Sequence, residues 1–511
     1  MKGAEIMENP NTDVIQNSVP NVVPDSEIQQ TKPTIPLFKT ILAWCAFALG
    51  FVFTHFVFWL AGGIWGGIFW LLFGVVGAVY AAKSGVKITK MQVAMFVIAQ
   101  VFCFTPLFCA SKFINFLAAV FSCLLYLYLG IVVSGAEPFG KRFLPDILLA
   151  VFVRPFERFG ECFRSAFSVF KGKRAAKNVL YAVVGLIIAV PLTIVVVMLL
   201  TSSDARFEEL MGSVEDYLPD FSFSTILEIA FGIPIAMYLF GAVSSMEKAA
   251  SRDEINADKL RVLPPMMTYF AVTPICLFYV AYIITQALNI ASALDQTLNY
   301  SEFARRGFFE LCAIAVINLG VIAVMQTFAK STRIIKFYIG ALSLLSLGVI
   351  ATALAKMAMY IGEYGMTLLR VYTSWFMLLM SLMFVLIIVL QIKDFKFWRA
   401  LFIGFTAMFF VLCFCDVDGA IAKYNVSAYE SGKIEELDIF EFSELGYSAV
   451  VSAEKLYSDG NDSYALKRYL SNVNYDNSRE EKFAYFSIPR AKADAALKRI
   501  PSDYFIYNYE D

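Results

Sequence analysis

The chain has 511 residues, 59% hydrophobic, 16% aromatic and 17% charged, with a formal net charge of −1 and a mean hydropathy of +0.65. A soluble domain sits nearer half apolar and a quarter charged, so the composition excludes an ordinary water-soluble globule, and no nucleic-acid partner is expected. The single histidine, His55, excludes a histidine-clustered metal site and any Ser-His-Asp or Cys-His catalytic set outside the apolar runs.

Residues 1–36 are polar and rich in Asn, Pro and Val, and lack a basic segment leading into a short apolar core. They read as a disordered tail, and the first apolar run then starts insertion. Apolar runs of about twenty residues, the length of a bilayer's hydrocarbon core, follow. They predict eleven spans, at 38–60, 64–82, 92–110, 113–133, 179–200, 223–244, 264–290, 308–328, 337–360, 366–392 and 400–415. The expected fold is all-α: a polytopic transmembrane helix bundle over 37–415 with a small extracytoplasmic helical module over 416–511. Alternate loops carry twenty-two Lys and Arg on the side of the N-terminus against four on the other, Lys112, Arg206, Arg305 and Arg306. The positive-inside rule then puts the N-terminus in the cytoplasm, and an odd span count puts the C-terminus outside, in a cell membrane.

Within 150–172, Phe152, Phe156, Phe159, Phe163, Phe167 and Phe170 recur at helical spacing, flanked by Arg154, Arg158, Arg164, Lys171, Lys173 and Arg174. An interfacial amphipathic helix with its cations on anionic lipid headgroups is predicted; a regulatory target helix has the same pattern. The loop after the fifth span is acidic, and Glu208 and Glu209 there read as a solvated face or a weak cation site. Polar residues also fall inside spans: Gln100 in the third, Glu228 entering the sixth, and Asn318 with Gln326 in the eighth. Amides in spans usually bond a neighbouring helix, although transporters use such groups at broken helices. Pro106, Pro191 and Pro274 are expected to bend their helices.

Arg370 opens the tenth span, near enough to its outer end for the guanidinium to reach the headgroup level. Glu363, Thr367 and Arg370 are spaced four and three apart and share one face if a single helix begins by Glu363. Lys356 approaches the same rim. An ion pair tying the ninth and tenth spans is the first reading of this cluster, a site for an anionic ligand the second, and part of a conduction path the third.

The pattern E-x-G-M-T-x-x-R, the basic loop FKFWR and the stretch beginning DVDGAIAKYN together resemble an uncharacterised family of bacterial multipass membrane proteins, catalogued only as a domain of unknown function. The matching positions include Asp418, Ile421-Ala422, Asn425, Gly432, Asp438, Leu445-Gly446 and Ala449. The resemblance is specific over about 360–450, topological before that, and implies architecture without an activity.

From Asp416 onward eighteen acidic residues face eleven basic ones. Helical periodicity at 417–430, 443–457, 463–473, 490–499 and weakly at 479–487 predicts four or five short helices. Asp416-Val-Asp418-Gly starts like a calcium loop, but the remaining ligand positions do not follow. None of the nine cysteines lies beyond Cys415, so no disulfide framework is expected there, and neither a metal nor a cofactor is predicted. Three functions remain: a regulatory or scaffolding component of the cell envelope, in which 416–511 would meet an envelope protein partner; a transporter, flippase or channel; and a membrane-embedded transferase with no catalytic residue assigned.

Overall fold

The computed structural model describes residues 36–55, 63–169, 223–247, 261–294, 308–330, 332–479 and 486–505, with scattered positions between 185 and 210. In its first half lie α1 (Leu37–Val52), α2 (Gly63–Lys83), α3 (Lys90–Cys103), α4 (Lys112–Val133), the short α5 (Phe143–Phe152), α6 (Arg154–Glu157) and α7 (Phe159–Ala166), and α8 (Phe223–Ser244). A second half holds α9 (Pro265–Leu294), α10 (Phe308–Phe328), α11 (Arg333–Tyr364), α12 (Leu368–Ile392) and α13 (Phe397–Phe414). Five helices follow: α14 (Val417–Glu430), α15 (Phe440–Leu445), α16 (Val450–Ser458), α17 (Tyr464–Arg479) and α18 (Ile488–Leu497).

Among the described residues, nine helices are long and apolar enough to cross a membrane. They coincide with nine of the eleven predicted spans. The sixth corresponds to α8, whose described apolar part is Phe231–Ser244. The fifth, with Pro191, Glu208 and Glu209, lies outside the described residues. Outward-facing side chains support the same environment. On α9, Phe270 is 77% and Phe278 75% exposed, an apolar surface that water would penalise and lipid tails accept.

Local chemistry sets the helix ends. Thr89 and Gln92 make a reciprocal capping box at α3, and Ser111, Thr332 and Thr367 accept from backbone N–H groups at the starts of α4, α11 and α12. Pro274 sits inside the unbroken α9. Pro106 instead closes α3, in a 3-10 turn over Thr105–Leu107.

Two apolar cores divide the bundle. One is shared by α1–α5, α7 and α8, the other by α9–α12. The two halves are joined where Phe102 of α3 stacks on Phe409 of α13 at 5.3 Å, beside Ile114, Ala118 and Leu412. Helix α1 crosses α8 at small residues: a Cβ on Gly50 would collide with the Gly232 carbonyl and the Ala236 methyl, so backbones meet where only glycine fits.

The expected continuous interfacial helix at 150–172 is broken into α6, α7 and a 3-10 turn, Phe167–Val169. Pro155 in the first turn of α6 lacks an N–H to continue α5. Part of the described segment packs on the bundle. Pro155 is buried against Gly241 of α8, where a Cβ would strike its carbonyl, and Phe163 is buried in the first core while Phe152 and Phe156 stay exposed. Arg158 donates to the Ser244 carbonyl at 2.9 Å and to Glu247 at 2.7 Å. Glu247 also receives Lys39 at 2.8 Å and the Tyr80 hydroxyl at 2.7 Å. Burial alone would raise the Glu247 carboxyl, but those three donors hold it down at about 2. Arg158 is thus committed to the protein, Arg154 lies 3.9 Å from Glu157, and Arg164 is exposed. Lys171, Lys173 and Arg174 lie outside the described residues.

Helices α14–α18 enclose a core of their own, including Ile421, Phe442, Val450, Leu466 and Leu497. The predicted helix at 443–457 is divided at Gly446, whose φ of 56° ends α15. Buried Arg490 on α18 donates to Asn477 of α17 at 2.9 Å and lies over the Tyr447 ring, which ties the last helices to the middle ones.

Candidate functional site

The turn between α11 and α12 is where the membrane bundle meets the C-terminal module. Its sequence, Gly365-Met366-Thr367, dictates its shape. Gly365 has φ 76°, a left-handed geometry that glycine adopts without penalty, and Thr367 caps α12 by accepting from the Arg370 N–H. Glu363 therefore ends one helix while Thr367 and Arg370 begin the next. The single face proposed for these three residues is not formed, because the turn interrupts the helix between them.

Arg370 reaches back across this turn. Its guanidinium donates to the Tyr364 carbonyl at 3.1 Å and to the Gly365 carbonyl, and it lies 4.4 Å over the Tyr360 ring. A cation is thereby placed on the orphan carbonyls at the C-terminus of α11. Glu363 is exposed and forms no ion pair with Arg370 among the described residues. Lys356 is buried about two turns before the end of α11. The tie between the two spans is therefore made by arginine and backbone oxygens. Arg370→Ala is expected to cost about 1–3 kcal/mol and Arg370→Lys less, since lysine reaches a carbonyl but loses the planar contact with Tyr360. Thermal unfolding in detergent measures both, and wild-type stability in both variants would remove this role.

The module grips the same turn from the other side. Asn425 of α14 is buried; its Oδ1 accepts from the Met366 N–H and its Nδ2 donates to the Met366 carbonyl, both at 2.7 Å. Glu441 of α15 accepts from the Leu368 N–H at 3.0 Å, and burial pushes its carboxyl above the ordinary range. Met366, Leu368 and Val371 pack on the module's core. Other positions of the 418–449 pattern have local duties. Gly432 takes φ 68° after α14, and the Asp438 carboxylate accepts from the Phe440 N–H at 2.9 Å.

Asp418 is different. It lies in the first turn of α14, 3% exposed, and no hydrogen bond from a described residue reaches it. Nearby are the tip of the α3–α4 connection and the start of α12, where the Tyr372 hydroxyl donates to Ser111 at 3.2 Å. The carboxylate interacts electrostatically with Tyr372 and Cys109. Burial, and then the charge of Asp416, push Asp418 up to about 7. Asp416 itself has φ 46°, caps α14 through Gly419, and lies 4.0 Å from Lys492. Among the described residues, no group of three or more His, Cys, Asp or Glu is placed to hold a metal, and all nine cysteines are free.

The intramembrane amides act between helices. Asn318 of α10 accepts from Tyr279 of α9 at 2.8 Å and donates to Ser346 of α11 at 2.9 Å. Gln100 of α3 donates to the Gly67 carbonyl of α2 at 3.3 Å and accepts from Tyr126 of α4 at 2.6 Å. Glu228 is buried on α8 and meets His55 at 3.0 Å, just beyond the Gly50 crossing. Both residues stand out in the sequence, one as the single histidine and one as a carboxylate entering a span, with nothing there to pair them. Their 173-residue separation leaves no local signal, and only the small residues at 50, 232 and 236 hint at the crossing that brings them together.

No curated protein and no solved structure matches this chain. A family model does, over residues 94–456, from within α3 to within α16. That span takes in the cross-helix amides, the gripped turn and the buried Asp418. The chain accordingly belongs to the family described as Domain of unknown function (DUF4153).

Proposed function

We propose that the protein is a scaffolding or regulatory component of the cell envelope, with its N-terminus in the cytoplasm and the 416–511 module on the outer face. The observation that carries this reading is the grip of Asn425 and Glu441 on the 365–368 turn. A folded module held to a span hairpin by backbone-directed bonds is a presenting platform. It also exposes Phe440 and Tyr464 at 72% and 70%, aromatic side chains of the kind that anchor protein partners. Asn318 and Gln100 support the same reading, since their amides are spent on neighbouring helices.

The test pairs topology with deletion. A protease added to intact cells is expected to cut a tag placed after Asp511, and removal of 416–511 is expected to release a specific envelope protein that co-purifies with the full chain. A tag cut only after lysis, or an unchanged set of co-purifying proteins, would overturn the envelope-scaffold reading.

One observation favours transport as a second reading: the buried Glu228 paired with His55, since intramembrane acid–base pairs commonly lie on proton or ion paths. Glu228→Gln would then abolish a proton flux, read by a pH dye trapped in proteoliposomes. An absence of flux in the wild type ends that reading.

A further inference from the structure

The seam between the two halves of the bundle holds two cavities that differ sharply in chemistry. At the rim of the basic loops, a pocket of about 300 Å³ is lined by Lys141, Arg261, Lys336, Gln326, Gln391 and Asp394. Three cations face one carboxylate there. Neither Lys141 nor Lys336 forms an ion pair with a described residue, and they come from opposite halves, one between α4 and α5 and the other from the first turn of α11. A second cavity, of about 310 Å³, is almost wholly apolar, walled by aromatic rings that include Phe121, Phe139, Phe143, Trp398 and Phe402.

Two stretches of chain serve both. Lys141 of the polar pocket lies between Phe139 and Phe143 of the apolar one. Along α12, Met383 lines the apolar cavity and Gln391 the polar pocket, a separation of about 12 Å at 1.5 Å per residue. That is the step from the phosphate level to the upper acyl chain of a bilayer, whose headgroup region adds several ångströms to the hydrocarbon core.

We propose that these cavities are the two ends of one site for an anionic phospholipid, with its phosphate at Lys141 and Lys336 and an acyl chain against the aromatic wall. Charge complementarity selects an anionic headgroup, because ammoniums on both sides of the seam, neither of them ion-paired to a described residue, gain from a shared phosphate. The apolar end selects an amphiphile over a free phosphate. A lipid held in this way joins the halves on the rim opposite the α11–α12 turn, where a Lys396–Glu137 ion pair of 2.8 Å also spans the seam. This inference is independent of the scaffold and transport readings.

Native mass spectrometry of the full-length protein in detergent, titrated with phosphatidylglycerol or phosphatidylcholine, tests it. The wild type is expected to hold one phosphatidylglycerol with a preference of roughly tenfold or more. The double variant Lys141→Gln/Lys336→Gln should lose that preference. Met383→Trp, which fills the apolar end without changing charge, should weaken both lipids. Circular dichroism and thermal unfolding of each variant establish that loss of lipid is not loss of fold. Unchanged phosphatidylglycerol preference in the lysine variant would overturn the site and assign the lipid to exposed cations such as Arg164. Displacement of the lipid by millimolar inorganic phosphate would overturn the two-ended site in favour of a simple anion pocket.

Discussion

Asn425→Ala is expected to lower the stability of the full-length protein by about 2–5 kcal/mol. The side chain satisfies both the N–H and the carbonyl of Met366, and each buried backbone group left without its partner costs about 1–3 kcal/mol. Water cannot easily replace Asn425, because Gly365 packs against it: a Cβ on Gly365 would come within 2.8 Å of the Asn425 Oδ1. Asn425→Asp tests the geometry further. Its carboxylate still accepts from the N–H but faces the carbonyl with a second oxygen, so it should rescue little. The readouts are thermal unfolding in detergent and the rate of proteolysis in the 365–368 turn, which should rise together. An alanine variant that melts with the wild type and resists the protease equally would show that the module is held elsewhere.

The elements around this turn were legible in the sequence to unequal degrees. The spans were legible because bilayer thickness imposes a length and lipid imposes an apolar surface. Thr367 was legible as well, though in a different role: a threonine ahead of an apolar run is an N-cap signal, and Gly365 before it is a stop signal. Weighting those two residues above the four-and-three spacing would have separated Glu363 from Arg370. Pro155 likewise announced the break that divides the segment at 150–172. What the text could not yield were long-range meetings. Asn425 with Met366, His55 with Glu228, and Glu247 with Lys39, Tyr80 and Arg158 are each set by the packing of whole helices. A buried Asp418 was equally invisible, since its first-turn position and acidic surroundings suggest a solvated helix start.

Asp418 carries the second large effect, and it depends on pH. An aspartate at about 7 in the folded protein against an ordinary 3.8 keeps its proton long after the unfolded chain has released it. Between those two values the folded state binds more protons, so stability falls as pH rises through that window. The contribution is fully present below about pH 4 and lost once pH passes about 7. A shift of about three units corresponds to roughly 4 kcal/mol. Asp418→Asn removes the titrating group at nearly constant shape and leaves the first turn of α14 with a neutral side chain beside Tyr372, Cys109 and Asp416. The variant should therefore unfold near the wild-type temperature at pH 4 and clearly above it at pH 8. A gain that is the same at both pH values would mean that charge burial is not its source, and a loss at pH 8 would mean that the ionised carboxylate has a stabilising partner. With the expected result, the junction is firmest when Asp418 is protonated. The grip of the module on the 365–368 turn would then loosen as the medium bathing that rim becomes alkaline, because an ionised carboxylate in this buried position draws α14 toward water.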